Sequence, residues 1–215
     1  MQNSERQTSE RATRRGRFIV LDGVDGCGKS TQARLLVASL ARGAAHAPLH
    51  LREPGSTALG EALRELVLGR GRDLDPGVEL LLFAAARRQM LRELVAPALR
   101  AGRDVVCERF HPSTFAYQAI AGGLGEREVL DLLAAWAGDP APALVILIEI
   151  DPDVAARRRA EPLDRIEDKG LEFQRRVAAG YRRYAELVPS TVVVSGAGSE
   201  GEIAARIAAE VQRVP

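Results

Sequence analysis

The glycine-rich stretch Gly23–Ser30 constrains the fold of this chain more than any other segment. Its sequence, GVDGCGKS, satisfies the pattern GxxxxGK[ST] at every fixed position. The run before it, Phe18–Leu21, is short and apolar on both faces, which is typical of a buried parallel strand. The run after it, Lys29–Arg42, carries leucines at helical spacing. A strand, a glycine loop and a helix in this order predict a loop that binds phosphate groups.

The chemistry of such a loop follows from its residue types. Glycines let the backbone curl until successive N–H groups point at phosphate oxygens, and the following helix adds the positive end of its dipole. Lys29 supplies a charge for the β- and γ-phosphates of ATP, and the hydroxyl of Ser30 is placed to ligate Mg²⁺. The predicted ATP-binding residues are Gly23, Val24, Asp25, Gly26, Cys27, Gly28, Lys29, Ser30 and Thr31.

The two cysteines, Cys27 and Cys107, are far apart and have neither CxxC nor metal-ligand spacing. This usage is typical of a reducing compartment and predicts a cytoplasmic protein. Cys27 lies inside the loop, where its side chain is either a small filler or a thiol of lowered pKa. In the second case, oxidation or alkylation of Cys27 would block ATP binding.

Length and charge narrow the possible partners. The 215 residues suit one domain, and a formal net charge of +1 gives no basic field that would attract nucleic acid. No apolar run reaches the ~18 residues of a membrane span, so we expect neither nucleic acid nor a membrane as partner. Residues 1–16 are predicted to be a disordered polar tail, with a targeting or partner-binding arm as the alternative. Residues 17–215 are predicted to form the folded domain.

The rest of the chain alternates short apolar runs with longer helical stretches, which is the pattern of a parallel sheet covered on both faces. We predict a three-layer α/β fold of the P-loop NTPase type, with a five-stranded parallel sheet flanked by helices. Leu144–Ile150 is the most apolar segment and is predicted to be the central strand. Pro97 is predicted to kink or stop its helix. Further strands are predicted at Pro48–Arg52, Asp104–Cys107 and Thr191–Val194, and helices at Thr57–Leu68, Pro76–Leu99, Ser113–Ala121, Glu126–Ala137, Asp151–Arg159, Glu172–Leu187 and Glu200–Val214.

Polar residues gather where the predicted strands end. Arg52–Gly55 follows the second strand, and Glu108 and Arg109 follow the third, with Tyr117 and Gln118 soon after. The carboxyl ends of parallel strands open on the ligand cleft of such folds. The chain has no NKxD-type segment that would read guanine, and it is short for a motor ATPase. The pattern therefore favours a kinase over a GTPase switch or a motor.

Five motifs follow one another along the chain: GVDGCGKST, REPGST, LLFAAARRQ, ERFHPSTFAYQ and DRIEDKGLEF…GYRRYAELV. In this order the chain resembles the thymidylate kinase family of P-loop nucleoside monophosphate kinases, from Gly23 to about Val188. The resemblance implies transfer of the γ-phosphoryl group of ATP to dTMP, giving dTDP and ADP for dTTP synthesis, with Mg²⁺ as cofactor and a homodimer as assembly. Two rivals are a related kinase with another nucleotide or deoxynucleoside acceptor, and a regulator that binds nucleotide without turnover.

The resemblance also implies how the thymine base is held. Phe83 stacks on the ring, Arg87 donates to its O4, and Gln118 satisfies the ring edge near N3. Arginine only donates, so the amino group of cytosine would face a second donor at that point. Such a mismatch costs about 10⁴-fold in discrimination, whereas the methyl group that separates thymine from uracil is worth only about 1–3 kcal/mol. We therefore expect some activity with dUMP.

For the sugar and phosphate of dTMP, the resemblance implies that Tyr117 crowds a 2′-hydroxyl and that Asp25 accepts from the 3′-hydroxyl. Arg109 and Arg52 hold the acceptor phosphate, because a planar guanidinium grips two oxygens at once. The full set of predicted dTMP-binding residues is Asp25, Arg52, Glu53, Pro54, Phe83, Arg87, Arg109, Ser113, Tyr117 and Gln118.

Several of these residues also have a purely structural interpretation. Phe83 follows three leucines and would then be part of the core, and Arg87 would lie on a solvated helix face. Tyr117 would pack under the next helix. Glu53 would pair with Arg52 or cap a turn.

The arginine-rich run at 157–159 resembles the lid of the family, which we place at about residues 157–170. Some members carry a catalytic arginine in the phosphate loop and others in the lid, and here the loop has Gly26 at that point. We predict that the lid supplies it through Arg158, with Arg157 or Arg159 as alternates. The predicted catalytic residues are Lys29, Arg109 and Arg158, and the predicted metal ligands are Ser30 and Glu108. No general base is required, because the acceptor phosphate, with a second pKa of about 6, is already an anion.

The chain departs from the family pattern at four positions. Ser56 stands where a glycine is usual, and Glu108 stands for the commoner aspartate. Phe110 replaces a tyrosine, and Ala86 precedes Arg87 where aspartate is frequent. These changes leave the phosphate chemistry intact and bear mainly on the base.

Overall fold

A computed structural model describes residues 15–69, 71, 73–158, 165, 166 and 169–215. Within these residues, five strands form one sheet whose neighbouring strands are all parallel. The order across the sheet is β2-β3-β1-β4-β5. The predicted five-stranded parallel sheet is therefore confirmed. The strands are β1 (Phe18–Asp22), β2 (Leu49–Arg52), β3 (Val105–Glu108), β4 (Leu144–Glu149) and β5 (Thr191–Ser195).

The central strand is β1, so the prediction that Leu144–Ile150 lies at the centre is wrong. β4 lies beside β1, one position from the edge. Its first five side chains are all buried, although successive residues of a strand point to opposite faces. Helices therefore cover β4 on both faces, and such cover makes a strand fully apolar without requiring the central place in the sheet.

Helices connect the strands, and some of them begin at a capping side chain. The Thr57 side chain accepts from Gly60 N at the start of the helix Ala58–Leu68, and the Asp75 side chain accepts from Gly77 N at the start of the helix Pro76–Met90. Ser199 and Glu202 form a reciprocal capping box at the start of α9. The helices are α1 (Lys29–Ala41), α2 (Ala58–Leu68), α3 (Pro76–Met90), α4 (Ala96–Arg100), α5 (His111–Thr114), α6 (Glu126–Ala137), α7 (Pro152–Arg158), α8 (Gly170–Leu187) and α9 (Glu200–Gln212).

Two π-helical segments interrupt this regular pattern. The first, Leu91–Val95, joins α3 to α4. The helix continues past Pro97 to Arg100, so of the predicted kink or stop at Pro97, the stop is wrong. Proline lacks an N–H, and its ring crowds the carbonyl four residues earlier, so a widened turn just upstream relieves the conflict. The second segment, Phe115–Ala121, continues α5 and carries Tyr117 and Gln118.

The register of the sheet determines which residues meet at its carboxyl edge. Leu21 and Arg52 both lie opposite Glu108, and Asp22 lies opposite Leu147. The glycine loop leaves β1 at this edge. The site residues that follow β1, β2 and β3 are thus brought together. Within the described part of the chain, no helix is long and apolar enough to cross a membrane.

Candidate active site

A cleft of about 1000 Å³ opens at the carboxyl edge of the sheet. Most of the predicted site residues line it, whereas Gly23 and Val24 lie behind the loop on the side of β4. Eighteen described residues from the predicted site lie on the cleft wall: Asp25, Gly26, Cys27, Gly28, Lys29, Ser30, Thr31, Arg52, Glu53, Pro54, Phe83, Arg87, Glu108, Arg109, Ser113, Tyr117, Gln118 and Arg158.

Lys29 begins α1 and folds back over the loop. Its ammonium lies 2.9 Å from Asp25 Oδ1 and 3.4 Å from the carbonyl of Val24. Asp25 also accepts a hydrogen bond from the Tyr117 hydroxyl at 2.9 Å and pairs with the guanidinium of Arg109. One carboxylate thus gathers the two cations that are predicted to hold the donor and acceptor phosphates.

The electrostatics of Asp25 follow from these contacts. Burial alone would raise the pKa of Asp25, but the adjacent Arg109 and Lys29 cations outweigh it and hold that pKa well below its usual range. Burial raises the pKa of the Tyr117 phenol well above its usual value, and the Asp25 charge adds to this effect. At neutral pH, Asp25 is an anion and Tyr117 is a neutral donor.

Asp22, at the end of β1, holds the turn that carries Arg109, and the sequence interpretation missed it. Its fully buried carboxylate accepts from the backbone N–H groups of Phe110 and Ser113, both at 3.0 Å. It also accepts from the Ser113 and Tyr181 hydroxyls at 2.7 and 2.9 Å, and from Gly23 N at 2.8 Å. Arg109 between these contacts has φ 68, a left-handed conformation that is costly for a side chain of this kind.

Ser30 and Glu108, the predicted metal ligands, are in direct contact at the cleft mouth. The Ser30 hydroxyl hydrogen-bonds one carboxylate oxygen of Glu108, and His50 Nε2 lies 2.9 Å from the other. A hydroxyl and a carboxylate are hard oxygen donors, which suit Mg²⁺ when phosphates and waters complete the shell. The residues present therefore fit a magnesium ion. Among the described residues, no group of three or more His, Cys, Asp or Glu side chains forms a self-sufficient metal site.

Arg87 and Glu53 form a buried ion pair, which contradicts the interpretation of Arg87 as a solvated residue. Arg87 is 1% exposed, and its Nε lies 2.6 Å from Glu53 Oε1. Glu53 pairs with Arg87 and not with Arg52, which contacts Glu61 instead. Burial raises the pKa of Glu53 to about 7, although the charge of Arg87 opposes the shift. Arg87 Nη2 also donates to the Thr114 hydroxyl at 2.9 Å.

Gln118, Phe83 and Tyr117 complete the acceptor end of the cleft. Gln118 Nε2 donates to Glu79 Oε2 at 2.8 Å. Phe83 is half-buried, packs against the core and also reaches the cleft wall, so the two interpretations of this residue are compatible. Tyr117 is buried as well, with its ring 6.1 Å from that of Phe173, yet it lines the cleft and reaches Asp25.

Gly26 allows α7 to approach the glycine loop. A Cβ at this position would lie 2.1 Å from the carbonyl oxygen of Ala155, and φ is +88. Because Gly26 has no Cβ, α7 can lie close to the glycine loop, and Arg158 in its last turn lines the cleft wall. Arg157 is exposed and is not part of that wall. Arg159, and with it most of the predicted lid, lies outside the described residues, as do residues 1–14 of the predicted tail.

The alternative of a reactive Cys27 thiol is not supported. Cys27 is fully buried, and burial raises the pKa of its thiol despite the nearby Lys29 charge. Neutral buried thiols are poor nucleophiles. Its burial favours the interpretation of Cys27 as a small filler.

Several residues of the site were not found from the sequence. Arg64 of α2 lines the cleft and donates to the carbonyl of Pro54 at 3.1 Å. Glu79 and Thr114 orient Gln118 and Arg87 from behind. The end of the cleft beyond Thr31 is lined by Gly198 and Ser199, which precede α9, and by Glu200 and Ile203 in its first turns. The sequence signals for these residues were that Asp22 directly precedes the motif GVDGCGKST and that Thr114 lies within the motif ERFHPSTFAYQ.

Similar proteins were found both by sequence and by structure. The family model described as thymidylate kinase matches residues 21–207. A thymidylate kinase from Synechococcus sp. is 44% identical over 92% of this chain and 96% of its own length. One from Deinococcus radiodurans is 40% identical over 91% of this chain and 96% of its own length. The crystal structure of thymidylate kinase from Ehrlichia chaffeensis superimposes with a TM-score of 0.76 at 27% identity, covering 91% of this chain and 98% of that one.

Proposed function

This chain belongs to the thymidylate kinase family, and on that premise we propose how its cleft works. The chain is a nucleoside monophosphate kinase that transfers a phosphoryl group from ATP to dTMP and gives dTDP and ADP. The observation that carries the assignment of roles is the convergence of Lys29 and Arg109 on one cleft, joined through Asp25. One cation serves the donor phosphates and the other the acceptor phosphate.

The donor occupies the side of the glycine loop. N–H groups of the loop and of the first turn of α1 point at the phosphates, and Lys29 exchanges Asp25 for the β- and γ-phosphates of ATP. The adenosine end extends past Thr31 toward Ser199 and Ile203, which also line the cleft.

The acceptor occupies the side of α3 and the second π-helical segment. Arg109 and Arg52 hold the phosphate of dTMP, and Tyr117 lies against the sugar. Asp25, a permanent anion near neutral pH, accepts from the 3′-hydroxyl while it orients Arg109. Phe83 stacks on thymine, and Arg87, fixed by Glu53 and Thr114, donates to O4.

Transfer itself requires alignment and neutralisation of charge, because both reactants are anions and the attacking oxygen needs no base. Ser30 and Glu108 would hold Mg²⁺, which supplies positive charge to the phosphate oxygens of ATP when bound. Arg158 reaches the cleft from α7 and neutralises charge that develops on the transferred group.

The assembly and location of the chain are proposals of the same kind. We propose a homodimer in the cytoplasm, with no nucleic acid or membrane as partner. Two buried free cysteines suit a reducing compartment. Residues 157–170 would act as the lid, and residues 1–16 would be a disordered tail.

A panel of nucleoside monophosphates assayed with ATP and Mg²⁺ tests the proposal. We expect turnover with dTMP well above that with dUMP, and negligible turnover with dCMP, dAMP or dGMP. Lys29→Ala and Arg109→Ala should each lower kcat/KM for dTMP by about 10³-fold or more. Arg127→Ala is a matched control, because Arg127 is almost fully exposed and lies outside the cleft wall. Nucleotide binding without turnover would instead favour the regulator.

A further inference from the structure

Gln118 lines the base end of the cleft with an amide whose orientation is set from behind by Glu79. Gln118 and Glu79 are 2% and 3% exposed, and Gln118 Nε2 donates to Glu79 Oε2 at 2.8 Å. A carboxylate only accepts hydrogen bonds, so it requires the nitrogen of the amide to face it. The opposite orientation would place two acceptor oxygens against each other. The Gln118 oxygen must therefore point away from Glu79.

Glu79 is itself fixed in place by neighbouring cations. Its Oε1 lies 2.5 Å from Arg165 Nη2 and 3.8 Å from Lys169 Nζ. Arg165 is tied in turn to the carbonyl of Val67 by its Nε at 2.9 Å. Glu79 also stands in the first turn of α3, where the helix dipole favours a negative charge. One carboxylate oxygen thus faces two cations, and the other serves Gln118.

The consequence is an unused acceptor at the base end of the cleft. Within the described residues, Gln118 Oε1 is buried without a hydrogen-bond partner, and so is Arg87 Nη1. Both residues line the same cleft, and an acceptor together with a donor matches the imide edge of thymine or uracil, where N3–H donates and O4 accepts. Cytosine reverses both groups, since its N3 accepts and its N4 amino group donates. The pair of unpartnered atoms has the pattern of one base class.

We propose that Glu79 is a positioning residue that determines base specificity by locking the Gln118 amide with its oxygen toward the base. This deepens the proposed function and rests on it. Without the lock, the Gln118 amide is free to turn over and to offer its NH₂ group to N3 of cytosine. Arg87 still opposes cytosine, so the discrimination falls without being abolished. The expected loss in the dTMP to dCMP preference is about 10- to 100-fold, the effect of one mismatched buried polar group.

The test compares wild type with Glu79→Gln, whose side chain has the same shape but can donate as well as accept. We would measure kcat/KM for dTMP, dUMP and dCMP. For a nucleotide that is not turned over, its inhibition constant in competition with dTMP is measured instead. We expect the dTMP to dCMP ratio to fall by at least tenfold. The dTMP to dUMP ratio should stay within twofold, because the two bases present the same edge. General damage to the fold would lower all three values together and leave both ratios unchanged, which would overturn the proposal.

A second variant and a double mutant separate this route from other effects. In a Gln118→Ala background, Glu79→Gln should change the dTMP to dCMP ratio by less than twofold, since the residue it acts through is gone. An equal change in both backgrounds would contradict the proposal. Should Glu79→Gln fail to fold, Glu79→Asp keeps the charge near Arg165 but withdraws the carboxylate from Gln118, and the ratio should fall in the same direction. Wild-type turnover with dTMP tests the proposed function separately from these ratios.

Discussion

Replacing Asp22 with asparagine tests whether one buried carboxylate holds the acceptor side of the cleft together. Asp22 accepts five hydrogen bonds, three at Oδ1 and two at Oδ2. The new NH₂ group cannot accept any of them. With the NH₂ group at the Oδ1 position, the Ser113 and Tyr181 hydroxyls can turn to accept from it, but the N–H of Gly23 is left unpaired. At the Oδ2 position, two backbone N–H groups lose their acceptor.

The magnitude follows from the less costly of these arrangements. One unpaired buried donor costs about 1–3 kcal/mol, and the bonds that remain lose the strength that a charged acceptor gives. We expect Asp22→Asn to lower the free energy of unfolding by about 2–4 kcal/mol. Arg109, whose left-handed backbone depends on the neighbouring contacts to Asp22, should relax, and KM for dTMP should rise more than KM for ATP.

Urea unfolding followed by circular dichroism measures the stability, and steady-state kinetics measures the two KM values. Asp131→Asn is the matched control, because Asp131 is largely exposed and forms a long surface pair, 3.5 Å, with Arg127. The control should change stability by less than about 0.5 kcal/mol. A loss below 1 kcal/mol in Asp22→Asn, with both KM values unchanged, would refute the idea that this carboxylate supports the Arg109 turn.

Three further predictions concern the ion pair, the loop and the lid. Folding raises the pKa of Glu53 from 4.5 to about 7, so between pH 4.5 and pH 7 the folded protein binds more protons than the unfolded chain. The contribution of Glu53 to the free energy of unfolding therefore falls as the pH rises through this range. The free energy of unfolding of wild type relative to Glu53→Gln should therefore fall by up to about 3 kcal/mol between pH 4.5 and pH 7.5, and an unchanged difference would contradict the raised pKa. Gly26→Ala should push α7 away and lower kcat at least tenfold, because the new Cβ would lie 2.1 Å from the carbonyl oxygen of Ala155. Gly123→Ala is the control and should affect stability alone, because Gly123 has a similar φ of +82 but open space around it. Arg158→Ala should reduce kcat with dTMP about 10²-fold or more, and Arg157→Ala should reduce it less than tenfold. Losses below tenfold in Arg157→Ala, Arg158→Ala and Arg159→Ala alike would exclude a catalytic arginine from this run.

Much of the fold was predictable because its signals are local. The apolar run of β1, the glycine loop and the helical spacing of α1 are continuous in sequence, and each has one structural solution. The carboxyl-edge residues Arg52, Glu108 and Arg109 were found for the same reason, since each ends a strand or directly follows one. The place of β4 in the sheet was missed, because burial on both faces is shared by every covered strand and carries no information on order.

The partners of the buried polar groups could not be predicted. Asp22 and Tyr181 are separated by 159 positions in the chain, and Gln118 and Glu79 by 39. Which donor meets which acceptor depends on distances of a few tenths of an ångström between elements that are brought together only by packing. The periodicity of the sequence therefore does not indicate which side chains pair.

The sequence by itself determined that this chain forms a phosphate-binding loop on a parallel sheet, with basic residues at the edge where the strands end. Only the tertiary structure decided that Arg87 is buried against Glu53, that Cys27 is fully buried, and that Gln118 Oε1 has no hydrogen-bond partner among the described residues. The physical reason is that loop and strand propensities act between neighbouring residues, whereas the charge and hydrogen-bonding state of a side chain depends on everything packed around it.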